Sequence, residues 1–281
     1  MSNMNIGKEN IMHATILIDN IPDNNLTPEW GLSILIRYND KTILLDTGAS
    51  SNFSRNAEKL KLDLSTVDYA VLSHAHYDHA DGMEEFFKTN EKAKFYLRDG
   101  CGENCYGKKW IFSKYIGIKK GILEKYHDRI VYARGDYEIC DGVRLIPHKG
   151  DDFTEIARKA NLYMKKNGRL RPDDFSHEQS LVFETDKGVV VFNSCSHGGA
   201  DNIIREVQET YPDKKIYAMI GGFHLFKMSD DEVRAFAERV RRTGIEKIYT
   251  GHCTGERAYE ILHEELGDCV QQLKTGLEIV I

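Results

Sequence analysis

The sequence has no apolar run near the ~20 residues needed to cross a bilayer, which excludes a membrane-spanning helix. It has no low-complexity tract and no fine internal repeat, which argues against fibrous or solenoid architectures. The opening residues, Met1-Ser2-Asn3-Met4-Asn5, lack the apolar stretch of a secretory signal, so the expected compartment is the cytoplasm. Cysteine is sparse, with six residues at 101, 105, 140, 195, 253 and 269. That is too scattered for a disulfide scaffold. A basic excess is missing as well. The formal net charge of −6 argues against a surface built for nucleic acid, and no second large domain is inserted to clamp RNA. Membrane and nucleic acid therefore drop out as expected partners. A small-molecule substrate remains, and the composition leaves a homo-oligomer open.

What is present is the profile of a soluble globular protein, with 41% hydrophobic and 29% charged residues in 281 and room for a large core. One domain over 1–281 is expected, with insertions near 98–128 and 148–176. Ala14 to Ile18 and Leu32 to Tyr38 read as strands. The turn Asn39-Asp40 leads into Thr42 to Leu45, a hairpin signal, and Asp46-Thr47-Gly48 closes that strand. Residues 51–62 have helical spacing, and Tyr69 to Leu72 is a short buried strand. The stretch 98–128 has no clean period. It is rich in Gly, Lys and aromatics, among them Tyr106, Trp110, Phe112, Tyr115 and Tyr126. It reads as an insertion over the mouth of a site, its aromatics either stacking on a flat ring or holding the insertion down. The stretch 148–176 reads as irregular and charged.

The second half repeats the order of strands followed by helices. Ser180 to Glu184 and Val189 to Phe192 form a hairpin, a helix covers about 201–210, and Ile216 to Ile220 is a strand. Ser229 with Glu232 is a capping box for the next helix. Strands then helices, twice over, imply an α/β fold of two sheets packed face to face with helices outside.

The chemistry concentrates in His74-x-His76-x-Asp78-His79. Three imidazoles and a carboxylate within six residues, directly after a buried strand, can be splayed around two adjacent cations. Zinc suits these donors best, and iron or manganese also fit. The remaining ligands must come from elsewhere. His197, His224 and His252 each follow a strand end, and strand ends on one sheet edge converge. His13, His127, His148 and His263 read as surface or structural residues, and His177 is ambiguous. Cys101-Gly-Glu-Asn-Cys105 is the one close thiol pair. A loop with two thiols is the plain reading, because an iron–sulfur centre would need further ligands and Cys140 is the only obvious third.

The cluster at 74–79, with Asp46-Thr47-Gly48 upstream, resembles the signature of the metallo-β-lactamase superfamily. The segments Ser194-Cys195-Ser196-His197-Gly198-Gly199, Gly221-Gly222-Phe223-His224 and Thr250-Gly251-His252-Cys253 resemble one branch of it. That branch includes the dihydropterin–aminobenzene-phosphate synthases of methanopterin biosynthesis. The resemblance implies an αββα sandwich of two mixed sheets flanked by helices. It implies His74, His76 and His197 on one metal, Asp78, His79 and His252 on the other, and Asp46 orienting a ligand histidine. Many members carry a bridging Asp where Cys195 falls here, so either Cys195 approaches the metals or no carboxylate bridges them. The di-iron electron-transfer branch resembles this pattern with Glu at position 76, so His76 favours zinc-type hydrolysis.

The expected activity is hydrolysis of a small phosphorylated or cyclic ester. Cations ~3.5–4 Å apart would lower the pKa of a shared water, Asp78 could take its proton, and His224 could serve the oxyanion or leaving group. The backbone amides at Gly198-Gly199 could hold a phosphate, and Lys108, Lys109, Arg169 and Arg171 could add positive charge. Two other readings stand beside it: a transferase like the methanopterin-type synthases, and a redox or sensor protein with an iron or iron–sulfur centre.

Overall fold

The computed structural model describes residues 11–23, 25–150 and 152–281. The chain opens with β1 (Met12–Ile18), β2 (Ser33–Tyr38) and β3 (Lys41–Leu45). Then come α1 (Asn52–Lys59), β4 (Tyr69–Val71), α2 (Tyr77–Ala80), α3 (Met83–Thr89) and β5 (Lys94–Arg98). β6 (Cys105–Lys109), β7 (Phe112–Tyr115) and α4 (Ile122–Lys125) fall in the first predicted insertion. After β8 (Ile130–Ala133), β9 (Tyr137–Cys140) and β10 (Val143–Pro147), the second holds α5 (Thr154–Ala160), β11 (Leu162–Lys166) and β12 (Arg169–Pro172). The remainder is β13 (Gln179–Thr185), β14 (Gly188–Phe192), α6 (Ala200–Thr210), β15 (Ile216–Gly221) and α7 (Asp230–Arg241). β16 (Lys247–Thr250), α8 (Glu256–Leu266), β17 (Val270–Gln272) and β18 (Glu278–Val280) complete it.

Two mixed seven-stranded sheets result, in the orders β18-β1-β2-β3-β4-β5-β8 and β17-β16-β15-β14-β13-β10-β9. Alternation along single strands explains why they stack. On β14, Val190 and Phe192 point one way and meet Ile34, Ile36 and Ile43 of the other sheet. Val189 and Val191 point the other way, onto Ile203 and Val207 of α6 and Phe236 of α7. A strand buried on both faces must be apolar throughout, as Val189-Val-Val-Phe192 is. The first sheet repeats this, with Leu35, Leu44 and Ala70 turned toward Phe53, Phe86 and Phe87 of its own helices. Each Leu, Ile, Val or Phe side chain so removed from water contributes roughly 1.5–3 kcal/mol. The outcome is the expected αββα sandwich.

The two insertions are not irregular. Their strands join into a third sheet, β12-β11-β6-β7, with Leu162 opposite Gly107 and Tyr163 opposite Tyr106. Period-two alternation is hidden there because most outward positions are Lys, Arg or Tyr, and the pairing that joins the two hairpins, β6 with β11, spans more than fifty residues. The aromatics split in role. Tyr126 stacks on Phe87 at 4.3 Å and Tyr106 meets Tyr115 edge-on at 5.3 Å, whereas Trp110 and Phe112 are exposed.

α7 starts with the predicted capping box, Ser229 Oγ accepting from the Glu232 amide and the Glu232 carboxylate accepting from the Ser229 amide. Ser229→Ala is expected to lower the unfolding free energy by about 1 kcal/mol. The check is a lower urea midpoint at unchanged slope.

Candidate metal centre

The second sheet runs parallel from β14 to β17, so the loops after β14, β15 and β16 leave one edge together. They carry Cys195 and His197, then His224, then His252. β4 of the facing sheet leads into the bend that carries His74, His76 follows in an extended conformation, and α2 carries Asp78 and His79. The close approach depends on glycine. A Cβ on Gly221, at φ +143°, would lie 1.9 Å from the Asn193 carbonyl oxygen. Backbone strain gathers at this edge: Asp46, Ser196, His224 and His252 are non-glycine residues in the left-handed region, with φ of 58°, 46°, 52° and 47°. Such conformations cost energy and persist where the surroundings enforce them.

Hydrogen bonds orient the imidazoles one by one. Asp46 Oδ2 accepts from His79 Nδ1 at 2.8 Å and from Ser73 Oγ at 2.7 Å. Ser73 Oγ, having donated, accepts from His74 Nδ1 at 2.9 Å. Glu178 accepts from His197 Nδ1, whose ring stacks on Phe175 at 4.9 Å. Asn20 Oδ1 accepts from His252 Nδ1 at 3.1 Å. In each ring the proton is therefore on Nδ1 and the lone pair on Nε2, the tautomer a metal requires.

Those lone pairs face one another. The Nε2 atoms of His74, His76 and His197 are buried without a hydrogen-bond partner, and the three residues offer donor atoms within 4.8 Å of one another. His79 Nε2 and His252 Nε2 approach to 3.2 Å, with Asp78 Oδ2 at 3.8 Å and 3.5 Å from them. Unpaired nitrogens so close repel unless a cation lies between them. Cys195 Sγ sits between the two groups, 3.4 Å from His79 Nε2 and 3.4 Å from Cys253 Sγ. Burial, with neighbouring imidazoles adding to it, holds His74, His76 and His252 well below the usual histidine range. Burial would lower His79 too, but the carboxylates of Asp78 and Asp46 outweigh it and raise that ring. These donors fit divalent cations.

His224 also faces this centre. Its ring lies 4.7 Å from that of His197, and its Nδ1 is buried and unpartnered. Burial lowers its pKa, so it is neutral near pH 7. Cavities of about 130 Å³, lined by Asp78, Cys195, His224 and Trp30 among others, and about 570 Å³, lined by Gly198, Gly199, Arg205, Lys227 and Arg239 among others, open from it. The amides at the start of α6 thus border the larger cavity.

His177 belongs to a neighbouring group, in which it, His76, Cys105 and Asp173 offer donor atoms within 4.8 Å of one another. Its Nδ1 accepts the Ala75 amide at 3.2 Å and its Nε2 faces Asp173 at 3.1 Å. Asp173 outweighs burial in favouring a charged ring, but the Ala75 N–H needs the Nδ1 lone pair, so the imidazole is neutral and both nitrogens are used. Cys101 and Cys105 pack around it. Cys101 Sγ donates to the His177 carbonyl at 3.3 Å, and burial pushes that thiol up to about 12. Cys140 lies elsewhere, beside Lys41 and Asp141. The iron–sulfur reading therefore loses its third thiol.

One group escaped the sequence reading. Glu178 also accepts from His148 at 3.0 Å, and the other nitrogen of His148 meets Glu206 at 3.0 Å. Burial opposes a charge on His148, but the two carboxylates outweigh it and raise it to about 10. Only the step from His177 to Glu178 is local in sequence, so spacing offered no signal.

The sequence model of the metallo-beta-lactamase superfamily matches residues 26–252. The 7,8-dihydropterin-6-methyl-4-(beta-D-ribofuranosyl)-aminobenzene-5'-phosphate synthase of Methanocaldococcus jannaschii is 28% identical over 289 residues, covering 97% of this chain and 98% of that protein. A solved structure described as a metal-dependent hydrolase of the beta-lactamase superfamily superposes with a TM-score of 0.79 at 29% identity, over 95% of this chain and 98% of the other. A metallo-beta-lactamase fold protein from Bacillus subtilis shares the fold with a TM-score of 0.60 at 12% identity, over 97% of this chain and 100% of its own.

Proposed function

The chain belongs to the metallo-beta-lactamase superfamily, and from that premise we propose that it is a metal-dependent hydrolase, one domain throughout, acting on a small phosphorylated or cyclic ester. The observation that supports this is the set of four imidazoles whose Nδ1 atoms are tied to acceptors while their Nε2 lone pairs converge. His74, His76 and His197 would hold one cation. Asp78, His79 and His252 would hold the other, with Cys195 Sγ in the place of a bridging carboxylate. Zinc is the preferred ion for this donor set, ahead of iron and manganese.

Two divalent cations, when bound, supply Lewis acidity and bring the pKa of a water toward neutrality. The chain supplies the rest. Asp78 Oδ2, within 4 Å of both His79 and His252, accepts the proton of the attacking water. His224, a neutral imidazole, donates its N–H to the substrate oxygen that gains charge. Arg205 and Lys227 with the Gly198-Gly199 amides hold the phosphate. Trp30 and Phe226, in edge contact at 5.5 Å, wall the mouth and exclude water.

The test is elemental analysis together with turnover. About two metals per chain and chelator-sensitive cleavage of a nitrophenyl phosphodiester are expected. Metal-free native protein, or cleavage indifferent to chelator, sinks the proposal.

The end-to-end match to a synthase favours a second reading. In it the same centre joins the methyl carbon of a dihydropterin to the amine of a ribofuranosyl-aminobenzene phosphate, the amine losing its proton and the methyl carbon losing the leaving group it carries. Product formation from such a pair by protein that leaves the phosphodiester intact selects this reading over the first.

A further inference from the structure

The β6–β7 hairpin ends in Trp110, Ile111 and Phe112, which are 86%, 86% and 74% exposed. Three consecutive large apolar side chains in water run against the main driving force of folding. The hairpin cannot fold back over them, because Lys109 pairs directly with Phe112 across a two-residue turn. Trp110 also holds φ +59°, a conformation in which Asn or Gly is unstrained and a bulky residue is not. The tip therefore keeps an indole where stability alone selects against one.

Charge around the tip is one-sided. Lys108, Lys109 and Lys114 flank it, and the other hairpin of the same sheet carries Lys165, Arg169 and Arg171 besides Lys166, which is paired with Asp174. Segments 105–120 and 162–172 contain no Asp or Glu, in a chain whose net charge is −6. Lys109 and Lys114 make no ion pair among the described residues. Along the ladder, Lys109 sits beside the tip and Lys114 faces Gly107 two rungs below Phe112, roughly 7 Å down at strand spacing. That is the depth over which an apolar wedge sinks into a headgroup layer while lysines stay at the phosphates.

We propose that this hairpin docks the protein onto an anionic lipid surface, the Trp110-Ile111-Phe112 tip entering the interface and the flanking lysines binding lipid phosphates. Aromatic and aliphatic tips with a basic collar suit that interface. A second copy of the chain complements it poorly. Its exposed apolar residues at the site mouth, Phe226 and Met228, flank the cation Lys227, and of the acidic residues beyond them Asp230 is already paired with Arg257. The lack of a spanning run excludes crossing a bilayer, not resting on one. The hairpin also forms part of the wall of the site. Ile116, one residue beyond β7, lines the mouth with Tyr77 and Asp78, so docking brings the mouth beside the headgroups.

The test is flotation of the purified full chain with phosphatidylserine-containing vesicles, and with phosphatidylcholine vesicles alone. Binding to the anionic vesicles is expected, with a blue-shifted tryptophan emission. It is expected to fall about tenfold in the Trp110→Ser, Ile111→Ser, Phe112→Ser triple variant and to weaken with added salt. All three side chains are exposed, so the triple variant is expected to keep the wild-type melting temperature, and Lys109→Ala with Lys114→Ala gives an independent measure of the collar. Equal flotation of wild type and triple variant overturns the proposal. So does a wild-type dimer that the triple variant converts to monomer while neither binds vesicles.

Discussion

His76→Ala is expected to lower kcat/KM about a thousandfold, roughly 4 kcal/mol of transition-state stabilisation, and to lower the metal content with it. His76 Nε2 is one of three buried Nε2 atoms without a partner, and two imidazoles alone are fewer than the three protein ligands a catalytic zinc keeps. A purely structural histidine makes a different prediction, so stability separates the cases. Without metal, removing an unpartnered buried nitrogen relieves about 1–3 kcal/mol, and the cavity left behind costs a similar amount. The two nearly cancel, and the unfolding midpoint of metal-free variant and wild type should agree. With metal at about a thousandfold excess over Kd, the wild type should gain about 4 kcal/mol and the variant much less. His127→Ala is the control, because that ring is exposed and lies outside the cluster. A variant that keeps its metal and its rate, or one destabilised equally with and without metal, refutes the assignment.

The half of the centre that was legible in sequence was legible for a local reason. His74, His76, Asp78 and His79 fall within a six-residue span just after one strand, so their density alone is improbable without a shared task. His197, His224 and His252 could be added because each follows a strand, and parallel strands send their ends to one edge. The role of Asp46 came only from the family resemblance, and the structure has it between His79 and Ser73. The support behind His197 was not readable. Glu178, His148 and Glu206 come from three elements separated by tens of residues, and each is an ordinary polar residue in its own segment. The third sheet was missed because its strands are short and carry Lys, Tyr and Gly where alternation would show. Sequence pattern reports which side chains a strand buries; it does not report which distant polar groups meet once the strands are in place.

Glu178→Gln is expected to destabilise the protein by about 3–5 kcal/mol, the cost of removing one partner from a buried ion pair. His197 and His148 together outweigh burial and hold the Glu178 carboxyl well below its usual range, and His148 is charged between Glu178 and Glu206. An amide still accepts from His197 Nδ1 but leaves His148 with one carboxylate in place of two. The pH dependence identifies the cause. His148 has its pKa raised in the folded state, from 6.5 to about 10. Its contribution is therefore fully present below pH ~6.5 and is lost as pH rises through about 10, because the folded state holds a proton that the unfolded state has released. The deficit of Glu178→Gln should be largest near pH 6 and should shrink toward pH 10, measured by urea unfolding in chelator so that metal does not contribute. Metal affinity should fall as well, by about 10- to 100-fold, because a neutral amide holds the His197 tautomer but does not raise the basicity of the ring as a carboxylate does. A deficit independent of pH would assign the loss to packing, and unchanged affinity would remove Glu178 from the support of the centre.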